Sequence, residues 1–373
     1  MILASPLVAG LDAASVDSVA RALEERRPVG LIHDRLPPGD QAELAARLAA
    51  SPVPDDTAAV VFTSGSTGRP KGVVLSRAAL DAAVAASAAH LGARDDDRWL
   101  LLLPPAHIAG LGVIARSLAL GAPPALAAHD ASVTLVSMVP TQLARLLDDA
   151  TWQPPRAWRA VLLGGAAAAS ELVARAGARG VPVLTTYGMS ETCGQIATCP
   201  PGVAPPDGAV GVPLPGVMVD AGTRVAPGLI TVRTPAAFTC YLDEPRPDPA
   251  AVVTSDLGFV EDGWLYVLGR ADDVIITGGE KVHPLAVERA LADVRGVAAA
   301  CVVGVPDTTW GQLVAAAIVP APGADVGALE VTIAALPLAP HARPRRLVFV
   351  DELPLLPSGK LDRAAVVQRL HQA

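Results

Sequence analysis

The sequence predicts an α/β protein: a large N-terminal domain of mostly parallel sheets with flanking helices and a β-rich subdomain, then a small α+β C-terminal domain. Three observations carry this. From residue 58 to 188 short apolar runs of strand length alternate with runs of helix length, the pattern of a parallel sheet covered by helices. From 200 to 270 the alternation gives way to Gly/Pro-rich turns between short strands. Beyond that, about one hundred residues return to a mixed pattern, an ordinary size for a domain. The expected division is 1–271 and 272–373, with the β-rich part at about 200–271.

The elements follow in order. Residues 14–25 and 41–50 are helix-like around an apolar segment at 31–32, and no chemistry is evident before residue 55. Strands are expected at 58–62 and 72–75. Ser76 is placed to cap a helix running to Leu91, with Gly92 to end it. The series continues with strand 99–103, helix 107–120, strand 134–139, helix 141–149, strand 160–163, helix 170–178 and strand 181–185. Short strands at 230–233 and 264–268 follow. The last part reads as helix 284–294, strands 298–305 and 313–319, helix 326–335, strand 346–350 and a helix from Asp362.

With 51% hydrophobic and 18% charged residues among 373, there is ample material for large cores. A net charge of -8 argues against a general nucleic-acid or anionic-membrane surface, so a negatively charged substrate must be met by specific cations. Cys193, Cys199, Cys240 and Cys301 show neither a disulfide framework nor metal-ligand spacing, which fits a reducing cytoplasm. No basic leader precedes an apolar run at the N-terminus. The longest apolar region, 99–128, is broken by Pro104-Pro105, His107, Arg116 and Pro123-Pro124, so no membrane span is expected.

Thr63-Ser64-Gly65-Ser66-Thr67-Gly68-Arg69-Pro70-Lys71-Gly72 reads as a phosphate cradle between two strands. Glycines let the backbone approach an anion, the N–H groups and hydroxyls donate to phosphate oxygens, and Lys71 adds a compact positive charge. It is not a Walker loop, since Arg69-Pro70 stand before the lysine and no helix opens there. A plain Ser/Gly turn is the competing reading. Two further oddities stand out. His107 opens an apolar helix, where a lone histidine is more often packed than functional, and Arg116, nine residues on, is the single charge of that helix. An unpaired buried arginine is costly, so it either reaches solvent or meets an anion.

The loop resembles the ATP-binding signature of the acyl-adenylate-forming enzymes, the superfamily of acyl-CoA synthetases, luciferases and adenylation domains. Further matching motifs follow in that family's order to the end of the chain. In Tyr187-Gly188-Met189-Ser190-Glu191-Thr192 the resemblance implies a tyrosine stacked on adenine, a glutamate helping to hold Mg²⁺ and a threonine touching the α-phosphate. It places Gly164-Gly165-Ala166 against the adenine, Asp256 on the ribose hydroxyls and Arg270 on the ribose or phosphate. Ser255 stands where the family usually has glycine. Asp272 corresponds to the hinge of the mobile C-terminal domain, and Gly278-Gly279 to a loop along the pantetheine path. Lys360, in Pro357-Ser358-Gly359-Lys360, matches the lysine that bridges the acyl carboxylate and α-phosphate during adenylation. His107 matches a histidine beside the acyl pocket, with Ala106 where most members carry a bulky aromatic.

The resemblance therefore implies an AMP-forming acid–thiol ligase with ATP, Mg²⁺ and coenzyme A, acting on a small carboxylic acid. The front is shorter than the family's usual one, and the segment around Ser137, Leu135-Val136-Ser137-Met138-Val139-Pro140-Thr141-Gln142, is most similar to members acting on o-succinylbenzoate in menaquinone biosynthesis. Arg116 stands where those members place a cation for the second carboxylate of the acid. Another aryl or keto acid, a carrier-protein thiol as acceptor, and a non-catalytic nucleotide-binding relative stay open, as does a homo-oligomer.

Overall fold

The computed structural model describes residues 6–63, 70–246, 248, 250–355 and 361–372. The first sheet is built by β1 (Leu7–Ala9), β2 (Val29–His33), β3 (Thr57–Thr63) and β4 (Lys71–Ser76), with α1 (Ala13–Glu24) and α2 (Pro38–Ala50) as crossovers. β1, β2 and β3 are parallel and β4 returns antiparallel, so Thr63 and Lys71 face each other across the ladder. Both ends of the candidate phosphate loop are thereby fixed by strand pairing. Ser76 caps α3 (Arg77–Leu91), its Oγ accepting from the Ala79 N–H at 3.1 Å, and Gly92 ends it at φ +56°.

The second sheet holds β5 (Trp99–Leu101), β6 (Leu135–Met138), β7 (Ala160–Leu163) and β8 (Val183–Met189) in parallel, with α4 (Ile108–Ala119), α5 (Pro140–Asp148) and α6 (Ser170–Ala178) between them. β9 (Gly194–Thr198) and β10 (Val212–Pro213) extend it antiparallel. The parallel strands are near-continuous apolar runs because both faces are covered: Trp99, Leu101 and Leu135 enter one core, Leu100, Val136 and Met138 the other.

Several boundaries differ from the sequence expectation, three of them for a plain reason. β5 stops at Leu101, since the chain turns at Pro104-Pro105, and α4 begins at Ile108 with His107 as its N-cap. β8 does not end at 185 but runs on through Tyr187-Gly188 because β9 folds back to pair with it. A Cβ at Gly188 would stand 1.9 Å from the Gly194 carbonyl oxygen, so only glycine permits that pairing.

β11 (Met218–Thr223), β12 (Ala226–Arg233), β14 (Val252–Glu261) and β15 (Trp264–Arg270) form the expected β-rich part, an antiparallel sheet. Between them β13 (Cys240–Tyr241) leaves to pair with β4 of the first sheet. The fourth sheet holds β16 (Ile275–Thr277), β17 (Glu280–Val282), β18 (Val297–Asp307), β19 (Gly311–Pro320) and β20 (Arg346–Phe349). α7 (Pro284–Ala292) and α8 (Val326–Ala334) pack on one side through Val287, Leu291, Leu329 and Ile333, and α9 (Arg363–Gln372) on the other through Val366 and Leu370. The β16–β17 hairpin was not expected. Gly278 and Gly279, at φ +58° and +86°, make its two-residue turn, which demands a positive φ at both positions. Among the described residues no helix is long and apolar enough to cross a membrane.

Candidate nucleotide and acyl site

The strand ends of the first two sheets and the edge of the third bring the sequence motifs together. Tyr187, near the end of β8, donates its phenol O–H to Asp256 Oδ2 at 2.6 Å. Burial, helped by that carboxylate, pushes the phenol well above its usual range, so it stays a donor. Asp256 lies opposite Arg270 in the β14–β15 ladder, and its N–H donates to Thr254 Oγ1 at 3.0 Å. The adenine and ribose candidates thus sit in one hydrogen-bonded wall.

After β8 a short 3-10 turn, Ser190–Thr192, presents Glu191. Thr192 is wholly buried, its hydroxyl 3.1 Å from the Met189 carbonyl and 3.0 Å from that of Gly194, so it shapes this turn. The Glu191 carbonyl accepts from the Phe238 N–H at 2.9 Å, and Glu191 Oε1 accepts from the Tyr241 hydroxyl at 3.2 Å. Lys71 Nζ lies 4.8 Å from the centroid of the same Tyr241 ring and 4.0 Å from Glu244 Oε2. The segment carrying Tyr241 is itself pinned: the Leu242 N–H donates to the Gly72 carbonyl at 2.7 Å, and Arg47 joins Asp243 to the Pro70 carbonyl.

Gly164 follows β7 and brings its backbone against β8, where a Cβ would meet Thr186 Cγ2 at 2.7 Å, and Gly165 turns at φ +80° before Ala166. Arg270 pairs with the exposed Asp272 at 3.1 Å, in the turn 271–273 between the third and fourth sheets. Gly278 donates its N–H to the Trp310 carbonyl at 2.9 Å, under the Trp310 ring. Ser64, Gly65, Ser66, Thr67, Gly68 and Lys360 lie outside the described residues. Thr63 is described, with its Oγ1 3.5 Å from the Lys71 carbonyl.

On the acyl side, α4 carries His107 at its N-cap and Arg116 in its last turn. Arg116 is 8% exposed, its Nη1 has no hydrogen-bond partner, and its guanidinium lies over the Trp99 ring at 4.8 Å. Burial lowers its pKa to about 10, which still leaves it a cation at neutral pH. Gly112, one turn earlier, makes the room: a Cβ there would stand 2.9 Å from Arg116 Nη2. Ser137 pairs with Leu101 and alternation puts it on the same sheet face as Trp99, the face over which Arg116 lies. The two substrate residues proposed from sequence therefore share one face.

Sequence reasoning missed Tyr241, Arg47 and His33. The His33 ring meets that of His107 edge-on with centroids 4.8 Å apart. A signal existed for Tyr241: the chain has only three tyrosines, and two of them hold carboxylates of this site.

The described residues contain no group of three or more acidic, histidine or cysteine side chains able to hold a metal. A Mg²⁺ site needs fewer. One carboxylate together with substrate phosphates is its usual setting, and Glu191, steadied through Oε1, fits that demand.

Residues 5–242 match the family model for AMP-binding enzymes, and 286–360 that for the C-terminal domain of AMP-binding enzymes. A 2-succinylbenzoate–CoA ligase from Bacillus licheniformis is 37% identical over 333 residues, covering 83% of this chain and 69% of that protein. The structure is similar to o-succinylbenzoate CoA synthetase from Bacillus subtilis in complex with the acyl-adenylate intermediate OSB-AMP, with a TM-score of 0.82 and 28% identity over 97% of this chain and 87% of that one. It is also similar to the same synthetase in complex with ATP and magnesium ion, with a TM-score of 0.81 and 27% identity over 98% and 88%. The chain belongs to the AMP-binding enzyme family.

Proposed function

We propose that this protein is an ATP-dependent ligase that joins o-succinylbenzoate to coenzyme A through an acyl-AMP intermediate, a step of menaquinone biosynthesis. The observation that carries the substrate is Arg116, a buried cation with an unpaired Nη1, on the sheet face shared with Ser137. A guanidinium so placed stabilises a second carboxylate retained by the substrate, and its planar fork suits that group.

In the first half-reaction an oxygen of the aliphatic carboxylate attacks the α-phosphorus of ATP, and the bond to pyrophosphate breaks. Two anions must meet, so cations have to offset their repulsion. Lys71 is held at the base of the phosphate loop for this, and Lys360 is assigned the same task from the C-terminal side. Mg²⁺, when bound, neutralises phosphate charge, and Glu191 is the residue that would hold it. Tyr187 and Asp256 orient the nucleoside, with Gly164 and Gly165 keeping the backbone low beneath it. In the second half-reaction the thiol sulfur of coenzyme A attacks the acyl carbonyl and AMP leaves. The unit from 272 onward turns about Asp272 between the two, bringing Gly278-Gly279 to the thiol path. The short 271–273 turn, where the chain passes from one sheet to another, supports that division. A cytoplasmic location fits these substrates.

The test is product analysis with purified enzyme, ATP, Mg²⁺ and o-succinylbenzoate, offering coenzyme A and a phosphopantetheinylated carrier protein in parallel. Pyrophosphate release with the CoA thioester as product is expected. Transfer to the carrier alone would reassign the acceptor, and absence of any ATP–pyrophosphate exchange would remove the ligase reading.

A further inference from the structure

The inference concerns Tyr241, to which neither the motifs nor the proposed chemistry assigns a role, and it rests on the functional reading above. Its hydroxyl donates to Glu191 Oε1 at 3.2 Å while its ring face lies 4.8 Å from Lys71 Nζ. One side chain thus touches the candidate Mg²⁺ ligand and the candidate phosphate cation. No ion pair within 4.0 Å joins Lys71 to Glu191; the acid beside Lys71 is the exposed Glu244.

We propose that Tyr241 is a positioning residue that aims the Glu191 carboxylate for the metal and seats the Lys71 ammonium on its ring, holding both ready for Mg·ATP instead of for each other. Chemistry supports each half. A carboxylate with one oxygen hydrogen-bonded has its orientation fixed and its other oxygen left for a cation, and such supporting bonds tune metal affinity. An ammonium over an aromatic face is attracted without being neutralised, so it keeps its charge for phosphate. A direct Lys71–Glu191 pair would instead have to be broken before nucleotide could enter.

The setting is rigid. β13 pairs Tyr241 with Val73, the Phe238 N–H binds the Glu191 carbonyl at 2.9 Å, and the Phe238 and Tyr241 rings pack at 4.8 Å.

Tyr241→Phe separates the hydroxyl from the ring, and Tyr241→Leu removes both. Equilibrium binding of a non-hydrolysable ATP analogue is measured by calorimetry with and without Mg²⁺, and bound Mn²⁺ is followed by electron paramagnetic resonance. Tyr241→Phe is expected to weaken Mg²⁺-dependent binding about 10-fold and leave metal-free nucleotide binding unchanged. Tyr241→Leu is expected to lose about 3- to 10-fold in metal-free binding as well, since Lys71 loses its platform. In a Glu191→Gln background Tyr241→Phe is expected to add nothing. Unchanged Mg²⁺ dependence in Tyr241→Phe, equal losses with and without metal, or an undiminished effect beside Glu191→Gln would overturn the proposal. A parent enzyme that binds neither form of the nucleotide would overturn the functional reading itself, and that result is distinct from the other three.

Discussion

His33, from the segment in which the sequence shows no chemistry, stands edge-on to His107 with ring centroids 4.8 Å apart. The contact joins the end of β2 to the N-cap of α4, beside the candidate acyl residues. His33 Nδ1 lies 3.0 Å from the Arg35 N–H and 2.9 Å from Asp34 Oδ1. Burial outweighs the Asp34 carboxylate and lowers the His33 pKa.

That shift has a testable sign. A histidine depressed below its ordinary 6.5 binds fewer protons folded than unfolded, so stability is full above that value and falls as pH drops through the window beneath it. His283, also lowered by burial, acts in the same sense. Thermal midpoints of the parent and His33→Gln, compared from about pH 7.5 to about pH 5, should show a shallower acid-side decline in the variant. With substrates, His33→Leu should raise KM for the acid about 2- to 10-fold, the scale of one aromatic contact, and leave KM for ATP unchanged.

Arg116 predicts opposite effects on stability and on recognition. Its unpaired guanidinium is costly in the free protein, so Arg116→Met should stabilise the fold by about 1 to 2 kcal/mol net of the lost Trp99 contact. The same change should raise KM for o-succinylbenzoate about 10- to 1,000-fold. The analogue 4-oxo-4-phenylbutanoate, which lacks the ring carboxylate, should be poor with the parent and nearly indifferent to the substitution. Equal use of both acids by the parent would make the arginine structural.

The two half-reactions should separate by residue. Lys360→Ala should lose about 100- to 1,000-fold in acyl-AMP formation while thioester formation from synthetic acyl-AMP largely survives. Asp272→Pro should do the reverse, because a fixed φ restricts rotation at that turn. Pre-steady-state release of pyrophosphate and of CoA thioester measures both; parallel losses would refute the division of roles.

Gly188→Ala tests the geometry behind the Tyr187–Asp256 wall. The added methyl would enter the space of the Gly194 carbonyl at 1.9 Å, so strand β8 must part from β9. A stability loss of about 1 to 3 kcal/mol is expected from such overpacking, with nucleotide affinity falling further than the melting point alone would imply. Denaturant midpoints and nucleotide titration together decide it.

Local periodicity made most of the fold legible. The caps at Ser76 and Gly92 stand where the sequence puts them, and the βα alternation from 58 to 188 became parallel strands and helices, because each of these features is set by neighbours a few residues away. β1, β9, β10, β11, β13, β14, β16 and β17 escaped notice. Most are short and are strands only by virtue of a partner: Cys240 and Tyr241 have no alternation to betray them and are ordered by β4. β14 is ten residues long, but Asp256-Leu257-Gly258 interrupts its alternation. The site divides in the same way. Tyr187, Glu191 and Asp256 are candidates that motifs single out, whereas Tyr241, Arg47 and His33 join the candidate site through distant contacts that no local pattern encodes.

The pairing of Val74 with Cys240 also orders events during synthesis. β1 to β4 can assemble once residue 76 has left the ribosome, but the outer edge of β4 then stays bare until β13 arrives from far along the chain. For that interval an apolar strand edge is open to mispairing with other nascent chains, and Arg47 waits for Asp243. β3 and β4 therefore gain their last neighbour only when residue 241 has emerged, although their own sequence is complete by residue 76, and translation pauses between 76 and 240 would lengthen the exposure.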